Sequence, residues 1–201
     1  MKKLLILIAL MAVMTIGSYA QAATLWSEDF TDVSDWSVVW QAGSGSTITA
    51  SGGLGELYVN DAASQSAFAP NQTDANFIPF NPVNKSDYTL NWIVDSLTWS
   101  TSWSIALDEF NSSKAYISTS WQTYPAVGST GDIGTFAQNL GSKTFNASTA
   151  YVIPKVDVYT GDGAQTVYLD SMSMDVIPEP TSLLLLGSGL LGLIGISRKR
   201  K

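Results

Sequence analysis

The chain has 201 residues with 17 acidic and 10 basic side chains, a formal charge of −7, and neither cysteine nor histidine. Those two absences exclude a disulfide framework, Ser-His-Asp and Cys-His catalysis and the usual zinc sites, leaving carboxylate chemistry as the only enzymatic option. Between Ala23 and Val176 four lysines, Lys85, Lys114, Lys143 and Lys155, face sixteen carboxylates, a formal charge of −12, so nucleic acid and anionic lipid are excluded as partners of this stretch.

Residues 1–22 read as a secretory signal peptide: Lys2-Lys3, a mostly apolar run from Leu4 to Ile16, and Ala20-Gln21-Ala22 as the A-x-A site, with Ala23 the first mature residue. Sec-type export machinery and signal peptidase are the expected partners. About 154 residues then remain to Val176, enough for one domain with its own core.

The exported part is rich in Ser, Thr, Gly, Asn and aromatics and has no helical period. Tyr88, Leu90, Trp92 and Val94 share one parity, which predicts a half-buried strand. Trp99, Thr101, Trp103, Ile105 and Leu107 repeat the pattern with Ser100, Ser102 and Ser104 facing out. Val152, Val156 and Val158 form another strand, which Pro154 assigns to an edge or a bulge. Turns are expected at Gly43–Ser46, Gly52-Gly53, Gly128–Gly131 and Gly161-Asp162-Gly163, the last joining a hairpin from Tyr151 to Val176. Ala69–Val83, with Pro70, Pro79 and Pro82, reads as a long surface loop. Short strands between frequent turns predict an all-β fold, one antiparallel β-sandwich over residues 23–176.

The opening Leu25–Phe30 with Asp35–Val38, and the closing Val167–Met174, resemble the first and last strands of jelly-roll carbohydrate-binding and galactose-binding-like domains. That resemblance implies a jelly-roll-like sandwich. It also implies a structural Ca²⁺ between the first and last strands, at Glu28 or Asp29 and Asp170. Strand parity turns Asp170 inward with Met172 and Met174, where a carboxylate needs a cation, a set of backbone donors, or a bulge that rotates it outward.

All seven tryptophans lie in the exported part. Most are expected in the core, Trp92, Trp99 and Trp103 among them. Trp121 and Tyr124, just before Pro125 and a glycine-rich turn, are placed on a rim loop as a candidate sugar platform. Asp108-Glu109 lacks the separation across a cleft that a glycosidase pair needs, because neighbours on a strand point to opposite faces. Ionised turn residues are the preferred reading there.

The last residues, 177–201, combine Pro178-Glu179-Pro180, an apolar run from Leu183 to Ile196 and Arg198-Lys199-Arg200-Lys201. As a helix, Thr181–Ser197 would extend about 25 Å at about 1.5 Å per residue, slightly short of the ~30 Å hydrocarbon core. The four cations keep the tail cytoplasmic and place everything before Pro178 on the other side. This order of parts resembles the PEP-CTERM sorting signal of Gram-negative bacteria; a plain C-terminal anchor is the alternative. The resemblance implies cutting by an exosortase-type membrane protease at Pro178, Glu179 and Pro180, and an association with exopolysaccharide. The resulting expectation is a non-enzymatic exported protein, anchored in the inner membrane as a precursor and then moved to the cell surface or extracellular matrix. A structural or adhesive role comes first, a carbohydrate-binding module second and a carboxylate-dependent glycan hydrolase third.

Overall fold

Gly52 and Gly53, with φ of 63° and 85°, close a two-residue hairpin of the primed type, whose twist matches that of its flanking strands. Strands β3 (Thr47–Ser51) and β4 (Leu54–Val59) pair antiparallel across it. They begin one layer of a two-sheet sandwich in the computed structural model, which describes residues 22–60, 65–98, 102–123, 133–159 and 163–177. The body of the predicted signal peptide and the Pro-Glu-Pro, apolar and basic segments of the tail lie outside those residues. No helix among the described residues is long and apolar enough to cross a membrane.

The remaining strands are β1 (Ala23–Glu28), β2 (Trp36–Gln41), β5 (Gln65–Pro70), β6 (Ile78–Pro79), β7 (Tyr88–Leu97), β8 (Ser102–Phe110), β9 (Tyr116–Thr123), β10 (Gly134–Asn139), β11 (Tyr151–Tyr159) and β12 (Gln165–Val176). Sheet A runs β10-β7-β12-β4-β3, with β1 also on β12; sheet B runs β2-β5-β11-β8-β9, with β6 also on β11. Thr24–Asp175 forms one compact unit. The expected antiparallel β-sandwich is therefore present, and its first and last strands are neighbours.

The alternation read in β7 holds: Tyr88, Leu90, Trp92 and Val94 are buried and their neighbours are not. In β8, Trp103, Ile105 and Leu107 are buried as expected, but so is Ser104 on the opposite face. Trp99 lies outside the described residues. Between the sheets Trp92 meets Trp103 edge-on at 6.3 Å and stacks on Phe136 at 5.6 Å.

Four expectations are corrected. Tyr151–Val176 is not the expected hairpin, because β11 pairs with β5, β6 and β8 in one sheet whereas β12 pairs with β1, β4 and β7 in the other; Gly161 and Asp162 lie outside the described residues. Ala69–Val83 is not simply a surface loop: it includes β6, and Asn76, Phe77, Ile78 and Phe80 are buried. Phe77 packs with Ala69, Phe110 and Ile153 in a second small core. The regular-strand placement of Asp170 is the third: it is exposed, as in the alternative of a bulge that rotates it outward, with Val167 and Leu169 buried on one parity and Met172 and Met174 on the other.

Pro154 is not on an edge strand, since β11 is the central strand of sheet B and pairs with β8 through Pro154 in unbroken register. It lies where β11 passes from pairing with β6 at Tyr151 and Val152 to pairing with β5 from Val156, so on that side the ladder is interrupted and a missing N–H does little harm.

Candidate functional site

On the outer face of sheet B the central strands offer small side chains. Register aligns Ala67 of β5, Asp157 of β11 and Ser104 of β8, and Ala106 of β8 lies opposite Lys155. Ala67, Ser104 and Ala106 are buried although they face away from the main core. Of these, Ala67 lines a groove of about 530 Å³ together with Trp40, Gln65, Thr119, Lys155, Asp157 and Tyr159.

Trp40 reaches this face through a break in register. Trp36 pairs with Pro70 and Val38 with Phe68, but Trp40 pairs with Ala67, so Val39 is an extra residue. A bulge of this kind re-aims the side chain that follows. Trp36 is consequently buried, while Trp40 presents its ring to solvent at 51% exposure.

Opposite Trp40, the polar wall is tied together. Lys155 Nζ lies 3.2 Å from Asp108 Oδ1 and donates to Thr119 Oγ1 at 3.3 Å, while Thr119 Oγ1 donates to Asp108 Oδ1 at 2.5 Å. Lys155 and Asp108 expose only 15% and 18% of their side chains, so both charges are held in place rather than swinging in water. The groove thus combines one exposed aromatic face with fixed donors and acceptors.

Asp108 and Glu109 are strand residues of β8, not turn residues as expected. They point to opposite faces. Glu109 is buried on the other side, where it accepts from Ser118 Oγ and the Asn146 amide, both at 2.8 Å, and from Thr149 Oγ1. Burial pushes its carboxyl up, but the donors, including the field of the Ser120 hydroxyl, outweigh this and hold it below the usual carboxylate value. The Ser120 hydroxyl itself makes no hydrogen bond by geometry. With Asp108 ion-paired and Glu109 turned away, the two do not form an acid/base pair.

The carboxylates nominated for calcium are each engaged locally. Glu28 accepts from the Phe30 amide at 2.8 Å and from Trp36 Nε1 at 2.9 Å. Asp29 accepts from the Thr31 amide at 3.1 Å and its hydroxyl at 2.8 Å, and these hold it below its ordinary value. Asp170 takes a hydrogen bond from Ser171 Oγ at 3.5 Å. Among the described residues no three acidic side chains converge as a metal site. A second concavity, of about 430 Å³, lies where Glu28 and Asp29 meet Asn91, Ser171, Ser173 and Asp175.

Trp121 is not on a rim loop: its backbone belongs to β9 and pairs with Leu107. Tyr124 lies outside the described residues, as do Pro178, Glu179 and Pro180. Ala22 is exposed immediately before β1, which begins at Ala23. The aromatic that the groove uses, Trp40, is not singled out in the sequence, where most of the tryptophans are expected in the core. Its spacing of four from Trp36 favours that reading, and only the crowded Val38-Val39 pair between them hints at a bulge.

No curated protein matches the chain. Several solved structures resemble it in part. The enzymatically active domain of bacteriophage CBA120 tailspike protein 4 is 16% identical, with a TM-score of 0.46 over 71% of this chain and 20% of that one. The chain therefore spans about a fifth of that protein. The CBM22-1 xylan-binding domain from Paenibacillus barcinonensis Xyn10C is 8% identical, with a TM-score of 0.48 over 81% of this chain and 99% of that one. A CBM4 structure is 18% identical, with a TM-score of 0.44 over 72% and 96%. At the other end of the molecule the match is one of sequence: residues 176–201 carry a PEP-CTERM protein-sorting motif.

Proposed function

We propose that this is an exported protein, sorted by an exosortase-type membrane protease, which serves at the cell surface or in an extracellular polysaccharide matrix as an adhesive component and holds glycan in the groove on sheet B. The sorting motif at residues 176–201 supports the first half of this reading. Processing is assigned to Ala22 and Ala23 at one end and to Pro178, Glu179 and Pro180 at the other. The structural and the carbohydrate-binding roles become one under this reading, since a matrix protein adheres through what it binds.

The single observation that carries the second half is Trp40, a bare indole at the lip of a polar groove. An apolar ring left in water is costly unless something covers it, and its neighbours are hydrogen-bonding groups rather than more apolar surface. The ligand that matches has a flat C–H face and a polar rim in one rigid unit, which describes a pyranose ring. Hydrolysis is not part of the proposal, because Asp157 is the one carboxylate lining the groove among the described residues.

Affinity electrophoresis of the purified protein through gels containing exopolysaccharide from the producing cells tests the binding. Retardation that disappears in Trp40→Ala supports the reading, and identical mobility with and without polysaccharide rejects it. Intact mass of the mature protein from the same cells tests both processing assignments.

A further inference from the structure

Resting on the glycan reading above, we infer that the groove takes an uncharged, linear oligosaccharide segment laid across the strands, and neither a single terminal sugar nor an acidic polysaccharide. The first reason is length. Trp40 stands on β2 and Thr119 on β9, the two outer strands of sheet B, with β5, β11 and β8 between them. Four strand spacings of ~4.8 Å place the two rims about 19 Å apart, more than one sugar ring fills.

The second reason is the floor. Ala67 is small and buried, so the stretch between Trp40 and the central strand β11 is low, and β11 then presents Lys155, Asp157 and Tyr159 as polar contacts midway between the rims. Gln65 and Tyr159 lie beside one another in the ladder, Tyr159 pairing with Gln65, and line the same passage with further hydrogen-bonding groups.

Charge gives the third reason. Lys155 is the only cation lining the groove among the described residues, and it is already held by Asp108 at 3.2 Å. Asp157 adds a carboxylate to the lining, and the exported part has twelve more negative than positive groups. A uronic acid would find no free counter-charge and would approach a negative protein. A neutral chain meets neither obstacle.

Intrinsic tryptophan fluorescence of the full-length protein in detergent provides the test, using neutral gluco-, galacto-, xylo- and manno-oligosaccharides from monosaccharide to hexasaccharide, and oligogalacturonates of the same lengths. The expected result is affinity that rises at least about tenfold from monosaccharide to tetrasaccharide for one neutral series, with oligogalacturonates at least about tenfold weaker. Trp40→Ala abolishes the response and Trp40→Phe keeps part of it. A monosaccharide that binds as tightly as the tetrasaccharide, or a preference for the uronates, overturns this inference while leaving glycan binding intact. A fluorescence response of the same size in Trp40→Ala overturns it too, because the ligand is then elsewhere. No response to any sugar, together with unretarded migration in exopolysaccharide gels, removes the underlying glycan reading and this inference with it.

Discussion

Trp36 and Trp40 stand four residues apart on one strand and face opposite sides of it, the first 5% and the second 51% exposed. In an unbroken strand two such residues share a face, and the extra residue Val39 separates them. Trp36 tilts against Phe30 with ring centroids 5.1 Å apart and donates its indole N–H to Glu28. Replacing it by alanine removes a core ring and leaves Glu28 with one donor fewer, at a cost of about 3–5 kcal/mol. Trp40→Ala changes stability by no more than about 0.5 kcal/mol, as expected of an exposed side chain. Chemical denaturation of the two variants side by side checks the contrast; equal losses would mean that the bulge does not sort the rings.

Glu109 gives the fold a defined acid limit. Its carboxyl lies below its ordinary value of 4.5 in the folded protein, so the native state binds its proton less readily than the unfolded chain does. The stability this adds is complete above the unfolded value and is lost as pH falls through the lowered one. Asp29 and Asp74 are also lowered and act in the same direction, so the diagnostic quantity is a difference. Glu109→Gln should cost about 1–3 kcal/mol at neutral pH, because the donors Ser118, Asn146 and the buried Thr149 lose a charged acceptor. Denaturation midpoints followed from neutral pH down to about 3 should fall less steeply in the variant than in the parent; parallel curves would rule the assignment out.

What the sequence shows and what it conceals divide along one physical line. The alternation of Tyr88, Leu90, Trp92 and Val94 is visible because one face of β7 is buried and the strand is regular, so period two survives into the structure. The same reasoning fails at Trp40 and Asp170, where one residue out of step inverts every later side chain and leaves no mark on composition. Strand partners are harder still. Glycines at 161 and 163 permit a reversal, but whether β12 returns beside β11 or crosses to the other sheet depends on contacts with β4 and β8, far away in the chain. The groove inherits both difficulties: its floor is set by cross-strand register and its aromatic by a bulge. By contrast, the sorting motif needs no tertiary contact and is legible residue by residue.

Lys114 fastens the 71–77 segment over the second core. Its ammonium lies 4.9 Å from the Phe77 ring and 5.6 Å from the Tyr151 ring and pairs with Asp74, whose side chain is 95% exposed. An exposed ion pair of this kind contributes little, whereas the ring contacts are partly desolvated. Asp74→Ala should therefore cost less than about 0.5 kcal/mol and Lys114→Ala about 1 kcal/mol or more. Lys114 also has φ of 60°, a conformation that glycine adopts without the steric cost that alanine meets. Lys114→Gly should thus lose less stability than Lys114→Ala, by thermal unfolding; the reverse order would mean that the backbone at this position is not strained.

Gly55 is the tightest point of contact between β4 and the segment after β1. Phe30, fully buried and itself at φ of 55°, lays its ring against the Gly55 backbone, where an added Cβ would stand 2.5 Å from Cδ1 and 2.8 Å from Cγ. Those atoms belong to a rigid ring wedged beside Trp36, so Gly55→Ala must displace the ring or bend β4. The cost of such overpacking is about 1–3 kcal/mol. Gly53 differs: nothing lies within 4 Å of a Cβ there, and only its positive φ of 85° resists substitution, so Gly53→Ala should cost about 1 kcal/mol. The pair can be separated by a second change. Phe30→Leu frees space at Gly55 alone, so it should soften the penalty of Gly55→Ala and leave that of Gly53→Ala unaltered. A double-mutant cycle read by denaturant unfolding measures this coupling, and strict additivity between Phe30→Leu and Gly55→Ala would refute the contact as the reason for the glycine.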